Sequence, residues 1–203
     1  MAGQAPHGSA MNLARSALGP VTQLGFVVRD LDAAVRHWVE GVGVGPFLFL
    51  EKGTGRPPNP SIFRGQHVVV EMRLAFGFIG DVQVELIQQI NNAPSPYLEF
   101  LAEGREGLQH LCHSVDDYTA ACVQLEASGY IREFVIPVAG HNDAIAYYRS
   151  PSFVGTMVEI VPPRWRKARA AVQERIRAWD GGDPIIRYDS YGDFLAAAKV
   201  DFD

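Results

Sequence analysis

Cysteine is scarce in this sequence. Cys112 and Cys122 are its two copies and form no Cys-x-x-Cys spacing, so a disulfide framework is excluded. Both are expected as buried free thiols in a reducing compartment, which assigns the chain to the cytoplasm. Long apolar runs are also missing. No stretch approaches the roughly 18–20 apolar residues of a membrane span, and Met1–Gly19 has no apolar centre for a signal peptide. Rich in Ala, Gly and Ser, residues 1–19 read as a mobile leader. Positive charge is in deficit as well. Lys and Arg number 18 against 23 Asp and Glu, a net charge of −5, which gives no basic face for nucleic acid. What is present is 203 residues at 47% hydrophobic content, enough for one sizeable core or two small fused modules.

The stretch Gly107–Asp117, GLQHLCHSVDD, reads as a strand running into a capped helix. Leu108, Leu111 and Val115 are apolar, and His110 and His113 interrupt them. Asp116 and Asp117 are good acceptors for the free N–H groups of a first helical turn. The helix runs over 118–129, with Gly129 as its stop. Residues 21–43, VTQLGFVVRDLDAAVRHWVEGVG, repeat this pattern. His110 and Asp117 each stand 87 residues after Gln23 and Asp30. Asp30 caps the first helix, with Ala34, Val35, Trp38 and Val42 as its apolar stripe. Two copies indicate a duplicated module rather than a solenoid.

The strands downstream agree. After the first helix come Phe47–Glu51, a loop over Gly53–Gly65, and two runs, His67–Ile79 and Val82–Ile90, joined by the turn pair Gly80-Asp81. Pro57, Pro58 and Pro60 exclude that loop from any strand or helix interior. After the second helix come 130–138, a polar loop with His141, Asn142 and Asp143, then Ala144–Arg149 and Thr156–Val161. Each half therefore reads strand, helix, strand, strand, strand. Each also ends with one acid between aliphatics, Glu85 and Glu159. These acids stand 74 residues apart, 13 fewer than 87, and the Gly53–Gly65 loop is 13 residues long. One insertion accounts for the difference.

With both modules in view, 21–162 resembles the vicinal oxygen chelate superfamily, and within it the glyoxalase I and methylmalonyl-CoA epimerase branch. The openings QLGFVVRDLDAAVRHW and GVGVGPFLFLE carry that likeness. The resemblance implies an α+β fold: two tandem βαβββ modules forming a curved mixed sheet around a central pocket. The modules fall at 20–92 and 107–162, with a linker helix over 93–106. It further implies one metal ligand on the first and last strand of each module: Gln23 and Glu85, then His110 and Glu159. This oxygen and nitrogen set suits a divalent ion such as Mn, Fe, Co, Ni or Zn, and the absence of thiolate argues against a closed structural zinc site. Gln23 stands where many relatives, including extradiol dioxygenases, carry His, which disfavours ring cleavage. The implied reaction is that of a lyase or isomerase. The metal polarises a carbonyl while Glu159 or Glu85 moves a proton on the adjacent carbon. A non-catalytic small-molecule binder of the resistance-protein kind is the alternative. His113, three residues past His110, points to the other strand face and is expected to pack or hydrogen-bond.

The resemblance ends near Pro162, and 163–203 forms a helical extension. Trp165, Ala168, Val172, Ile176 and Trp179 make an apolar stripe on a basic helix over 164–180. A last helix is expected over 191–200. The extension is expected to form a homodimer interface or to cover an open sheet edge.

Overall fold

The computed structural model describes residues 16–54, 60–137, 144–151 and 155–200. The expected loop residues His141, Asn142 and Asp143, and Pro57 and Pro58, lie outside them. Of the expected leader, 16–19 is tied down: Ala17 N–H donates to Gln124 Oε1 at 2.6 Å, and His113 Nδ1 lies 3.1 Å from the Gly19 carbonyl.

The first module opens with β1 (Val21–Val27) and α1 (Leu31–Arg36), which passes into a π-helical turn over His37–Val42. Asp30 caps α1 by accepting from Ala33 N–H at 2.9 Å. The π-turn carries Val42 outward, half exposed, so the apolar stripe stops short of it. Then come β2 (Phe47–Lys52), β3 (Pro60–Phe63), β4 (Gln66–Val69), β5 (Met72–Ile79) and β6 (Val82–Gln89). The linker helix α2 (Pro96–Ala102) leads to the second module: β7 (Gly107–Ser114), α3 (Tyr118–Ala127), β8 (Ile131–Pro137), β9 (Ala144–Arg149) and β10 (Met157–Val161). Asp117 caps α3 through Ala120 N–H at 2.9 Å, so the two caps keep the same offset as the strands. The extension supplies α4 (Trp165–Arg177), β11 (Ile185–Ser190) and α5 (Tyr191–Ala197).

These strands form one curled sheet in the order β11-β2-β5-β6-β1-β7-β10-β9-β8-β3-β4. It is mixed, with β1–β6, β7–β10 and β11–β2 parallel and the other pairs antiparallel, and the modules join where β1 meets β7. Strand alternation separates its faces. Phe47, Phe49, Val84 and Leu86 pack outward with Leu31 and Val35 of α1. Leu48, Leu50, Phe76 and Ile87 pack inward.

Two expectations are corrected. The Gly53–Gly65 segment is not all loop, because Pro60–Phe63 is a strand. Pro60 is its first residue, where a missing N–H is tolerated. The insertion is located as expected: 53–71 separates β2 from β5 and 138–143 separates β8 from β9, a difference of 13 residues. It holds the β3–β4 hairpin, which crosses to pair with β8 of the other module. The run His67–Ile79 is also two strands. Asn91 interrupts it, accepting from Glu71 N–H and donating to the Val69 carbonyl.

The extension follows the helical expectation over α4 and α5, and adds β11 beside β2. It therefore covers a sheet edge with a strand. Ala168, Val172 and Ile176 are buried while Trp179 is 37% exposed, so the stripe ends one turn early. Among the described residues no helix is long and apolar enough to cross a membrane.

Candidate metal centre

The register where the modules meet determines which side chains converge. Gly25 on β1 pairs with Glu85 on β6 and with His110 on β7. Cys112 on β7 pairs with Glu159 on β10 and with Gln23 on β1. Each acid thus sits beside the residue two beyond its module's first-strand candidate, so the 87-residue offset is written into the pairing. All these positions share the inward face. Gly25 is required there by crowding: a Cβ would stand 1.9 Å from Cε1 and Nε2 of the His110 ring.

Glu85, His110 and Glu159 come together, with candidate ligand atoms all within 4.8 Å of one another. His110 Nε2 lies 3.4 Å from Glu159 Oε2 and 3.7 Å from Glu85 Oε2. Two donors each about 2.1 Å from one ion stand about 3–3.4 Å apart, so little movement separates this arrangement from a ligand set. His110, Glu159 and Glu85 are 0%, 4% and 8% exposed. His110 Nε2 and Glu159 Oε2 make no well-formed hydrogen bond and face only each other and Glu85, although buried polar atoms are nearly always paired. Those atoms fit a divalent cation, and the three residues would hold it.

A bulge makes the histidine face the acids. The β1–β7 register slips between Gly25 and Phe26, leaving Gln109 unpaired and free to turn to the same side as its neighbour. Gln109 Oε1 lies 2.6 Å from His110 Nδ1, while its Nε2 donates to Met157 Sδ at 3.0 Å. Gln109 Oε1 can only accept, so Nδ1 donates to it, and with an ion in place Nε2 would turn its lone pair to the acids' side. In the metal-free state, burial opposes charge on His110, but hydrogen bonding and charge from Glu159 and Glu85 outweigh it. The imidazole is pushed up to about 9. Burial would also raise Glu159, but contact with His110 holds it below its ordinary value. For Glu85 burial prevails, and the carboxyl is pushed up.

Gln23 occupies the corresponding inward position on β1, half-buried between Gln83 and Cys112. His113 faces away and meets Gly19. The sequence reading missed Gln109, along with Tyr147, whose ring meets His110 edge-on at 5.0 Å. A cavity of about 570 Å³ lies elsewhere, between Pro20, Thr22, Ser114, Arg166 and Arg169.

Residues 22–148 match the Glyoxalase/Bleomycin resistance protein/Dioxygenase superfamily. The chain belongs to that superfamily. No curated protein matches this sequence. Among solved structures, methylmalonyl-CoA epimerase from Mycobacterium tuberculosis is 21% identical with a TM-score of 0.51, covering 74% of this chain and 92% of its own. A hypothetical protein from Bacillus halodurans C-125 is 18% identical with a TM-score of 0.50, covering 70% and 93%. Both are likenesses of fold. The curled sheet described above is the fold they share with this chain.

Proposed function

We propose that this protein is a metal-dependent lyase or isomerase, with Glu85, His110 and Glu159 holding a divalent ion and Gln23 as a further ligand from β1. The buried cluster, in which His110 Nε2 faces only the two carboxylates, carries this reading. A bound ion would supply Lewis acidity to a substrate carbonyl. The chain's residues do the rest. Gln109 and the bulge aim His110, the packed concave face excludes water, and Glu85 or Glu159 takes a proton from the carbon next to the carbonyl and returns it. The fold shared with an epimerase is consistent with proton transfer of this kind. All three ligands come from one chain, so the site needs no second subunit.

The test is deuterium uptake from heavy water at the carbon beside the carbonyl of 2-hydroxyketones, 2-oxoaldehyde hemithioacetals and acyl thioesters. Exchange is expected with metal-loaded protein, not after chelation, and not in Glu85→Gln. Metal-loaded protein that exchanges none of them is a small-molecule binder instead.

A further inference from the structure

The cavity beside β1 is built around a guanidinium that the fold leaves incompletely paired. Arg166 and Arg169 stand three residues apart on α4, a spacing that puts both side chains on one side of the helix. Burial of Ala168 and Val172 fixes that helix, and both arginines line the cavity with Thr22 of β1 and Ser114 of β7. Arg166 has a carboxylate partner in Asp116 at 2.7 Å, and also donates to the Ser114 hydroxyl and carbonyl. Asp117, the other acid on the cavity wall, caps α3. Arg169 differs. Its contacts among the described residues are carbonyls and a ring rather than a carboxylate. Nη2 donates to the Thr22 and Asp81 carbonyls, and the guanidinium lies over the Phe78 ring at 5.3 Å. Its Nε is buried and has no hydrogen-bond partner. The Asp81 carboxylate instead faces Arg177 and Gln173. Withdrawing a cation from water without a counter-charge is unfavourable, and burial accordingly holds this guanidinium below its ordinary pKa. A lysine ammonium would serve both carbonyls; the planar fork of arginine adds donors that the fold does not use.

We infer that this cavity is a second ligand site, in which Arg169 binds the carboxylate of a small organic acid whose apolar body lies against Leu18 and Pro20. The size fits: about 570 Å³ falls within the roughly 300–1,000 Å³ of small-molecule sites. The ligand class follows from charge and shape. One guanidinium without a counter-charge matches one negative charge. Asp116 and Asp117 on the same wall oppose a second, which disfavours a phosphate dianion. A planar two-oxygen carboxylate also suits the donors of a guanidinium. None of Glu85, His110 and Glu159 lines the cavity, so binding needs no metal and stands apart from the reaction proposed above. Both arginines lie in the extension, beyond the residues 22–148 that match the superfamily. The site is therefore an addition to the shared fold, and it gives the extension a role besides covering the sheet edge.

The test titrates chelator-stripped full-length protein with para-fluorobenzoate, followed by fluorine NMR, with para-fluorobenzamide as the uncharged isostere. The benzoate is expected to bind once per chain, at least about tenfold more tightly than the amide, the size of a charge-assisted hydrogen bond. Arg169→Gln should weaken the benzoate at least about tenfold and leave the amide unchanged. Inorganic phosphate should displace the probe only at concentrations about tenfold above those of unlabelled benzoate. A second measurement needs no Gln variant. Arg169→Lys keeps a charge and a donor for the two carbonyls, and identifies the Arg169 Nε–H signal by its loss from proton–nitrogen correlation spectra. In wild type that signal is expected to move downfield on adding benzoate. Absence of binding at about 10 mM benzoate, equal affinity for the two fluorinated probes, unchanged benzoate affinity in Arg169→Gln, or an unmoved Nε–H signal overturns the site. Phosphate that competes as well as benzoate overturns the carboxylate class.

Discussion

Gly25 and His110 show how tightly individual residues specify the site. The imidazole lies where a Cβ on residue 25 would be, so Gly25→Ala must push the ring out of the triad or shift β1. Overpacking of this kind costs about 1–3 kcal/mol. Urea unfolding of Gly25→Ala is expected to show that loss together with loss of metal uptake; a variant with wild-type stability and metal affinity would contradict the placement of His110. The candidate ligand residues are legible in the sequence, because the resemblance points to them and the duplication repeats the first-strand pair at 87 residues and the acids at 74, one insertion apart. Gln109 is not. It reaches His110 only because a bulge breaks strand alternation.

Among the elements, those of the repeat were readable and those that bridge it were not. The β3–β4 hairpin turns through Arg64 and Gly65, both with positive φ, as a two-residue hairpin turn demands. Arg64 lacks the local preference of Asn or Asp for that conformation. Tertiary contact holds it instead, through Glu133 at 2.7 Å and Glu99 at 2.8 Å. Strand β11 is likewise secured from a distance. Arg187 reaches Glu51 at 2.9 Å, and Arg73 reaches the other oxygen of Glu51 at 3.0 Å. The two guanidiniums also lie over the Phe49 ring at 4.3 and 4.9 Å. No periodicity in Ile185–Ser190 foretells that partner. Phe194 of α5, 1% exposed, ties the extension into the concave core. Phe194→Ala is expected to lose about 3–5 kcal/mol in denaturant unfolding; an unchanged midpoint would mean that the extension is not integral to the fold.

For the whole molecule, two modules turn their inward faces toward one site, and one chain supplies every residue of the triad. The extension packs its helices against the same concave face, so the centre is enclosed by the chain that builds it. The curled sheet and its duplication follow from the order of elements, whereas this enclosure does not, because a helix stripe does not reveal which surface it will cover. The account rests on the triad holding a metal. Below about pH 9 the metal-free His110 carries a proton that an incoming ion must displace. That proton also stabilises the metal-free fold, a contribution complete below about pH 6.5 and lost as pH rises through about 9. The most direct measurement is calorimetric titration of chelator-stripped protein with Zn²⁺, Mn²⁺ and Co²⁺ between those pH values, for wild type and Glu159→Ala. The expected result for wild type is one ion per chain, proton release on binding, and affinity that rises with pH across that interval. Glu159→Ala should bind weaker by at least about a hundredfold, beyond the roughly 10–100-fold typical of losing a residue that only supports a ligand. Absence of binding to wild type, or equal binding to Glu159→Ala, would contradict it.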